Sequence, residues 1–448
     1  MPRTRLNRRA FGKVAFASTV PLFASTSSAA SGVTVPEDYD TIQEAVNQAE
    51  PGETIQVESG TYHEQVTINK PVTILGDPGD DTAGVGSEAP VIEGEHRPDG
   101  VAFQVNHIDS GRVVIRGFEI TRFGDRAREE NSGTGIKSST PIPEVIVTDC
   151  HIHNISGSGV AVFDGGEAEI SEWKIRRNLI EDFDSDGVRL DYLSETVVEN
   201  NEIRGTGDAF MGIRVSAAMT GDFDGIQSGV EVRDNTVKGS FESPGIRVIA
   251  INRRGIEGDQ GARSKNITVE GNELTINNRT IAIQVSANSA NGPTAINEST
   301  TVRENTVNEA FIGMLINSYQ EGYVKDVSIA ENKVKNATYG IALFGPNKYL
   351  NNITITKNIV TKNETAGIAI FNAASTANLS NNTIKGNSGW GVLNRSDEEL
   401  DATDNYWGHA SGPGGKDGRT NPAGKVIGRG DTISGNVKFD PWLRQPET

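Results

Sequence analysis

Apolar and polar residues alternate in short runs along most of this chain. In VSIAENKVKNATYGIALF (327–344) Val327 and Ile329 take every second position, Asn332 interrupts the run, and Val334 resumes it. After Gly340 the alternation returns, with Ile341 and Leu343 pointing one way and Ala342 and Phe344 the other. A period of two sends these sets to opposite faces of a strand. The unit recurs. Its turn position holds Asn178, Asn201, Asn235, Asn272, Asn305, Asn332, Asn358, Asn382 and Asn405, at spacings of 23 to 37 residues. The strand opening on glycine recurs as GVAV from 159, GVRL from 187, GIRV from 212 and 245, GIAL from 340 and GIAI from 367.

A repeat this short cannot bury a core of its own and must stack on its neighbours. It has no room for a crossover helix, so the fold class expected is all-β, a parallel β-helix of about ten coils. The turn Asn residues should then lie above one another, taking up the left-handed bend and bonding from coil to coil.

The ends differ from the coils. Thr41 to Glu44 reads as a capping box, followed by a short helix with Ile42, Ala45, Val46 and Ala49 on one face, which should cover the first coil. Residues 78–100 and 122–144 read as loops, and long excursions are expected at 217–229, 252–265 and 286–299. Trp407 and Trp442 should plug the last coil. The expected organisation is a leader at 1–30, an N-terminal cap and first strands at 31–100, coils at 101–406 and a capping segment at 407–448.

YDTIQEAVNQAEPGETIQVESGTYHEQVTINKPVTILGD (39–77) resembles the N-terminal segment of right-handed β-helix proteins, both the pectin-lyase-like superfamily and the NosD-type copper-linked periplasmic proteins. DATDNYWGHASGPGG (401–415) resembles the closing coil of many extracellular members. Both signatures bear on fold and are silent on reaction.

Arg8 and Arg9 with a modest apolar run after them resemble a twin-arginine export signal, with cleavage after Ala30. The run is too short and too rich in Ser and Thr to span a membrane, so a secreted or cell-surface protein is expected. Removing five basic residues leaves 37 against 60 acidic ones, a net charge of −23. That argues against nucleic acid and anionic membranes as partners and resembles proteins of high-salt organisms. Cys150 is the only cysteine, so no intrachain disulfide forms.

Three features carry candidate chemistry. If GVRLD, GIRVS and GIRVI stack in register, Arg189, Arg214 and Arg247 form an outward row, with Asp184, Asp186, Asp191, Asp222 and Asp224 close in sequence. Later coils are expected to carry Ala282, Leu315, Ala342 and Ala369 there. Like charges about 5 Å apart repel unless anions interleave. Those anions are either the protein's own carboxylates, making a structural face, or the uronates of an acidic polysaccharide. A uronate lyase or epimerase must neutralise a sugar carboxylate and place a base beside C5. By resemblance to lyases of this fold, Arg214 is the central base candidate, flanked by Arg189, Arg247 and Asp191, and Asp184, Asp186 and Asp224 are candidate calcium ligands. The hydrolase alternative is weaker: DSDG (184–187) resembles one polygalacturonase element, and the others are missing.

His151 and His153 face outward together, a spacing that chelates copper or zinc in other proteins. Two such imidazoles are more often plain surface, so neither metal is expected. Phe344 and Phe371, outward on neighbouring coils, either stack on one another or offer a platform to a sugar. The reading that follows is a polysaccharide-active enzyme, most simply a lyase. A non-catalytic glycan-binding scaffold is the alternative, and a NosD-like copper protein is third.

Overall fold

The computed structural model describes residues 32–447 apart from 78–85, 87, 96–98, 126–132, 141, 164–171, 220–224, 253–260, 278, 291–293, 373–376 and 415–427. The leader expected at 1–30 lies outside the described residues, as do Asp222 and Asp224. The chain is a parallel β-helix: every inter-strand pairing between described elements is parallel. Each regular coil has three walls. The first runs from Val33–Val35 to Ala377–Ser380. The second follows the turn Asn, as in His151–Ile155 and Glu202–Gly205. The third opens on glycine, as in Asp186–Asp191 and Met211–Met219.

Thirteen strands stack in the first wall among the described residues, rather than ten. At about 4.8 Å per level the stack is about 58 Å long. The turn Asn undercounts because the first coils lack it. The inward positions are mostly Val and Ile, which suit a pleated surface packed on its inner face. Trp173, Phe103 and Phe118 fill the wider early coils, and Trp407 is fully buried at the far end, with Trp442 packed at its rim.

The turn Asn residues form the expected ladder, all buried. Each Nδ2 donates to Oδ1 of the next, from Asn178 to Asn201 at 2.9 Å through to Asn382 to Asn405 at 2.9 Å. The same Oδ1 accepts the backbone N–H of the preceding ladder residue, as in Asn201 N–H to Asn235 at 3.0 Å. Cys150 occupies the first rung without an amide; its N–H donates to Asn178 Oδ1, and burial pushes its thiol up to about 12. The left-handed bend falls one residue earlier than expected. Arg177, Asn200, Asp234, Glu304, Glu331, Lys357, Asn381 and Asp404 have φ between 52° and 60°, and Gly271 has φ 65°. That bend turns the following side chain into the wall, which is where the Asn is needed.

A non-glycine residue in this conformation costs about 1–2 kcal/mol, and glycine gives back part of that gain as unfolded-state entropy. Glu304 is exposed, and the equivalent position already holds Gly271. Glu304→Gly should therefore raise stability by about 0.5 kcal/mol in denaturant unfolding, where glycine in a strand ordinarily lowers it.

The helix Ile42–Gln48 caps the first coil with Ile42, Ala45 and Val46 buried. Thr41 Oγ1 accepts from Glu44 N–H, one half of a capping box. The remaining orphan donors go to a residue the sequence pattern did not suggest: Glu64 accepts from Ile42 and Gln43 N–H at 2.9 Å each. Stretches read as loops carry strands. Val91–Glu93 and Thr134–Ser138 pair on both sides. The excursions carry strands too, at Ile226–Ser228, Arg263–Lys265 and Ile296–Glu298, and the ladder leading to them keeps Ala217, Ala250 and Ala287 in register. Gly, Ser and Ala at these positions hide the alternation.

Candidate functional site

The third wall brings the Arg row together as expected. Arg189 pairs in register with Arg214, and Arg214 with Arg247. The next level is Gln284 rather than Ala282, because the strand Ile281–Ser289 has no opening glycine from which to count. Leu315, Ala342 and Ala369 then follow in the same row, as read.

The three arginines have different surroundings. Arg189 Nε donates to Asp191 Oδ2 at 2.8 Å, and its guanidinium lies 4.3 Å from the centre of the Phe163 ring. Arg214 sits between two carboxylates, 3.6 Å from Asp191 Oδ1 and 3.9 Å from Asp186 Oδ2. Arg247 has no ion pair among the described residues, and its buried Nε has no hydrogen-bond partner. Burial, then repulsion by Arg214, lowers its pKa, with Tyr319 and Asp186 acting the other way.

Asp186 is 1% exposed and Asp191 3%. One oxygen of each, Oδ1, is buried without a hydrogen bond. Burial raises the Asp186 pKa to about 6; Arg214 and Arg189 pull it down and Asp191 pushes it up. In the unfolded chain this group ionises near 3.8. Its contribution to stability is therefore fully present below pH 3.8 and is lost as pH rises through about 6. Asp186→Asn should remove that loss, stabilising the protein by about 3 kcal/mol near neutrality and not at pH 4. Thermal unfolding of both proteins across this range checks it.

Calcium, implied by the resemblance, fits this donor set poorly. The carboxylates of Asp186 and Asp191 are already neutralised by guanidiniums less than 4 Å away, which would repel a divalent cation. Asp184 lies at the corner before the wall, its N–H on Ile155 O, and Asp224 is outside the described residues. Among the described residues no group of three or more His, Cys, Asp or Glu is arranged to hold a metal.

His151 and His153 lie together on the second wall, rings stacked at 4.3 Å. Each Nε2 is engaged by a carboxylate: His151 by Glu181 at 3.0 Å and His153 by Glu119 at 2.9 Å. Burial, then His153, lowers the His151 pKa. These contacts tie neighbouring coils, and among the described residues no group of three or more His, Cys, Asp or Glu forms there.

Beyond Arg247 the wall opens into a groove of about 530 Å³ whose lining includes Arg279, Gln284, Phe311, Tyr319, Phe344 and Phe371. Phe344 and Phe371 contact each other at 6.1 Å and both line the groove, so the two readings of this pair are compatible. Phe311 and Tyr339 extend the cluster, joined to Phe371 through ring contacts near 6 Å. Sequence reasoning missed Phe163, Gln284, Phe311 and Tyr319. Counting register outward from Arg247 finds Gln284, and counting from Asp191 finds Phe163.

Residues 99–295 and 281–406 match the family described as "Right handed beta helix region". The chain belongs to the right-handed β-helix family. No curated protein sequence matches this β-helix protein. Among solved structures it is similar to the Agl-KA catalytic domain, with 14% identity over 92% of this chain and 68% of that one and a TM-score of 0.55. It is also similar to the A-module of mannuronan C-5 epimerase AlgE4 from Azotobacter vinelandii, with 17% identity over 79% and 91% and a TM-score of 0.43. An alginate lyase from a Paenibacillus species gives 17% identity over 69% and 95% and a TM-score of 0.44. At these identities the likeness concerns the fold of the β-helix protein alone.

Proposed function

We propose that this protein is an extracellular enzyme of acidic polysaccharides that works on the third wall as a uronate lyase or epimerase. The observation that carries this is Arg247, a largely buried guanidinium with no carboxylate partner among the described residues, at the edge of a long groove. A uronate carboxylate would complete it with a forked, charge-assisted pair. Arg214, one level away, adds to the same field. Neutralising the carboxylate acidifies the C5 proton, the step that both reactions share.

Arg214 lies between the carboxylates of Asp186 and Asp191, a position that suits the neutralising role better than the base role expected from the sequence. Tyr319, an exposed phenol that lines the same groove as Arg247, is then the candidate group for moving the C5 proton. In elimination the C5–H electrons form the C4–C5 double bond, the bond from C4 to the glycosidic oxygen breaks, and that oxygen takes up a proton. The export signal expected at 1–30 supports the extracellular placement.

The test is ultraviolet absorbance of the unsaturated uronate released from a panel of acidic polysaccharides, with Tyr319→Phe beside wild type. Wild type should produce signal, and Tyr319→Phe should lose turnover by about 100-fold while keeping its affinity. A fully active Tyr319→Phe removes the phenol from the mechanism. The closed pairing of Arg189 with Asp191 and Phe163 favours a second reading, glycan binding without turnover. That reading predicts binding with neither elimination nor C5 inversion.

A further inference from the structure

The third wall changes chemistry along the stack. Its central row runs from Arg189, Arg214 and Arg247 through Gln284 to Leu315, Ala342 and Ala369. Gln284 closes the charged part by donating to Asn317 Oδ1 at 2.8 Å. Past it the described floor positions Leu315, Ala342 and Ala369 are apolar, and Arg279 is the further cation in the groove lining. The row beside it, mixed from Asp191 and Ser216 through Ile249 to Asn317, turns aromatic at Phe344 and Phe371. On the opposite side Ile312 is followed by Tyr339, with Phe311 adjacent. Phe344 is 48% exposed and Phe311 41% exposed. A single groove connects Arg247 to Phe371, four levels apart or about 19 Å.

A polymer of uronate alone would set carboxylates against Leu315, Ala342 and Ala369, apolar side chains that offer them no hydrogen bond, with the exposed Arg279 as the groove's other cation. Burying an ion unpaired is costly. A neutral sugar that turns a C–H face or a methyl group to the wall loses nothing there and gains contact with exposed rings that already stand apart from the core. We infer that the groove selects an acidic heteropolysaccharide, seating a uronate on Arg247 and a neutral sugar of the 6-deoxyhexose class on Phe344, Phe371 and the Ala342–Ala369 floor. This rests on the acidic-polysaccharide reading above and adds the polarity of the substrate.

Calorimetric titration separates the two. The probes are an oligosaccharide alternating uronic acid with 6-deoxyhexose and a homo-oligouronate of equal length. Wild type should prefer the alternating probe. Phe344→Ala should cut that preference about ten-fold, and Arg247→Ala should weaken both probes. Phe344 is half exposed, so its removal leaves the core intact, which unfolding of the variant verifies. Equal affinity for the two probes, or an equal effect of Phe344→Ala on both, overturns the inference while leaving the acidic-polysaccharide reading standing. No effect of Arg247→Ala on either probe overturns both. A dimer that Phe344→Ala dissociates shows the aromatic face to be an interface between copies and also overturns the inference.

Discussion

Asn272→Ala is expected to destabilise the protein by about 4 kcal/mol. Asn272 sits in mid-ladder with no exposed surface. Its Oδ1 accepts both the N–H and the Nδ2 of Asn235 at 3.0 Å. Its Nδ2 donates to Val232 O at 2.8 Å, Glu270 O at 3.0 Å and Asn305 Oδ1 at 2.9 Å. Alanine removes all five bonds and leaves the partners buried, and each unsatisfied group costs about 1–3 kcal/mol. Partial satisfaction elsewhere keeps the total near the stated figure, since Asn235 Nδ2 still reaches Val198 O. Asn308→Ala, which removes a bond from the exposed Asn336 side chain, should change stability by less than about 0.5 kcal/mol. Denaturant midpoints of the two variants make the comparison. A loss below about 1 kcal/mol for Asn272→Ala would mean that the strand pairings alone hold the corner.

Arg247→Ala is expected to lower kcat/KM on an acidic polysaccharide by about 10²–10³, the effect of removing one pre-placed partner of developing charge. Arg189→Ala should lower it by no more than about three-fold, because Arg189 is already committed to Asp191 and Phe163. The two residues lie in one row with similar sequence contexts, so a difference between them reads the environment rather than the net charge. Arg247→Ala also removes a poorly partnered buried cation, so it should not destabilise the fold. Lost activity with unchanged or raised thermal stability is the combined signature. Similar losses for both variants would point to a diffuse cationic surface.

The coil architecture was legible because its signal repeats. Nine turn Asn residues and six glycine-opened strands fix the register well enough to predict that Arg189, Arg214 and Arg247 would stack. The same counting failed at 134–138, where Ile136 is the one large apolar residue and Gly, Thr and Ser mask the period. It failed again at Gln284, where Thr280 precedes a strand without its glycine. Placing the left-handed bend on the Asn itself was a reasonable use of residue preference. The structure puts it on the preceding residue because the Asn side chain has to point inward.

The site was legible as a row and not as an environment. That Arg189 is closed by Asp191 and Phe163, while Arg247 is open, depends on a cross-coil contact and on the edge of a groove. Phe163 and Tyr319 lie 26 residues before Arg189 and 72 after Arg247, and only coil stacking brings them near. His151 and His153 show the opposite case. Their spacing is one that can chelate a metal, and it gives no sign that Glu119 and Glu181, from neighbouring coils, each engage one Nε2.

The most direct test of a uronate site at Arg247 is the dissociation constant of a homo-oligouronate for wild type and for Arg247→Ala, with a neutral oligosaccharide of equal length as reference. Wild type should bind the acidic chain more tightly than the neutral one, and Arg247→Ala should weaken the acidic chain by about 100-fold with little change for the neutral one. Equal binding of the acidic chain by both proteins, or no preference for it over the neutral chain, would contradict the account.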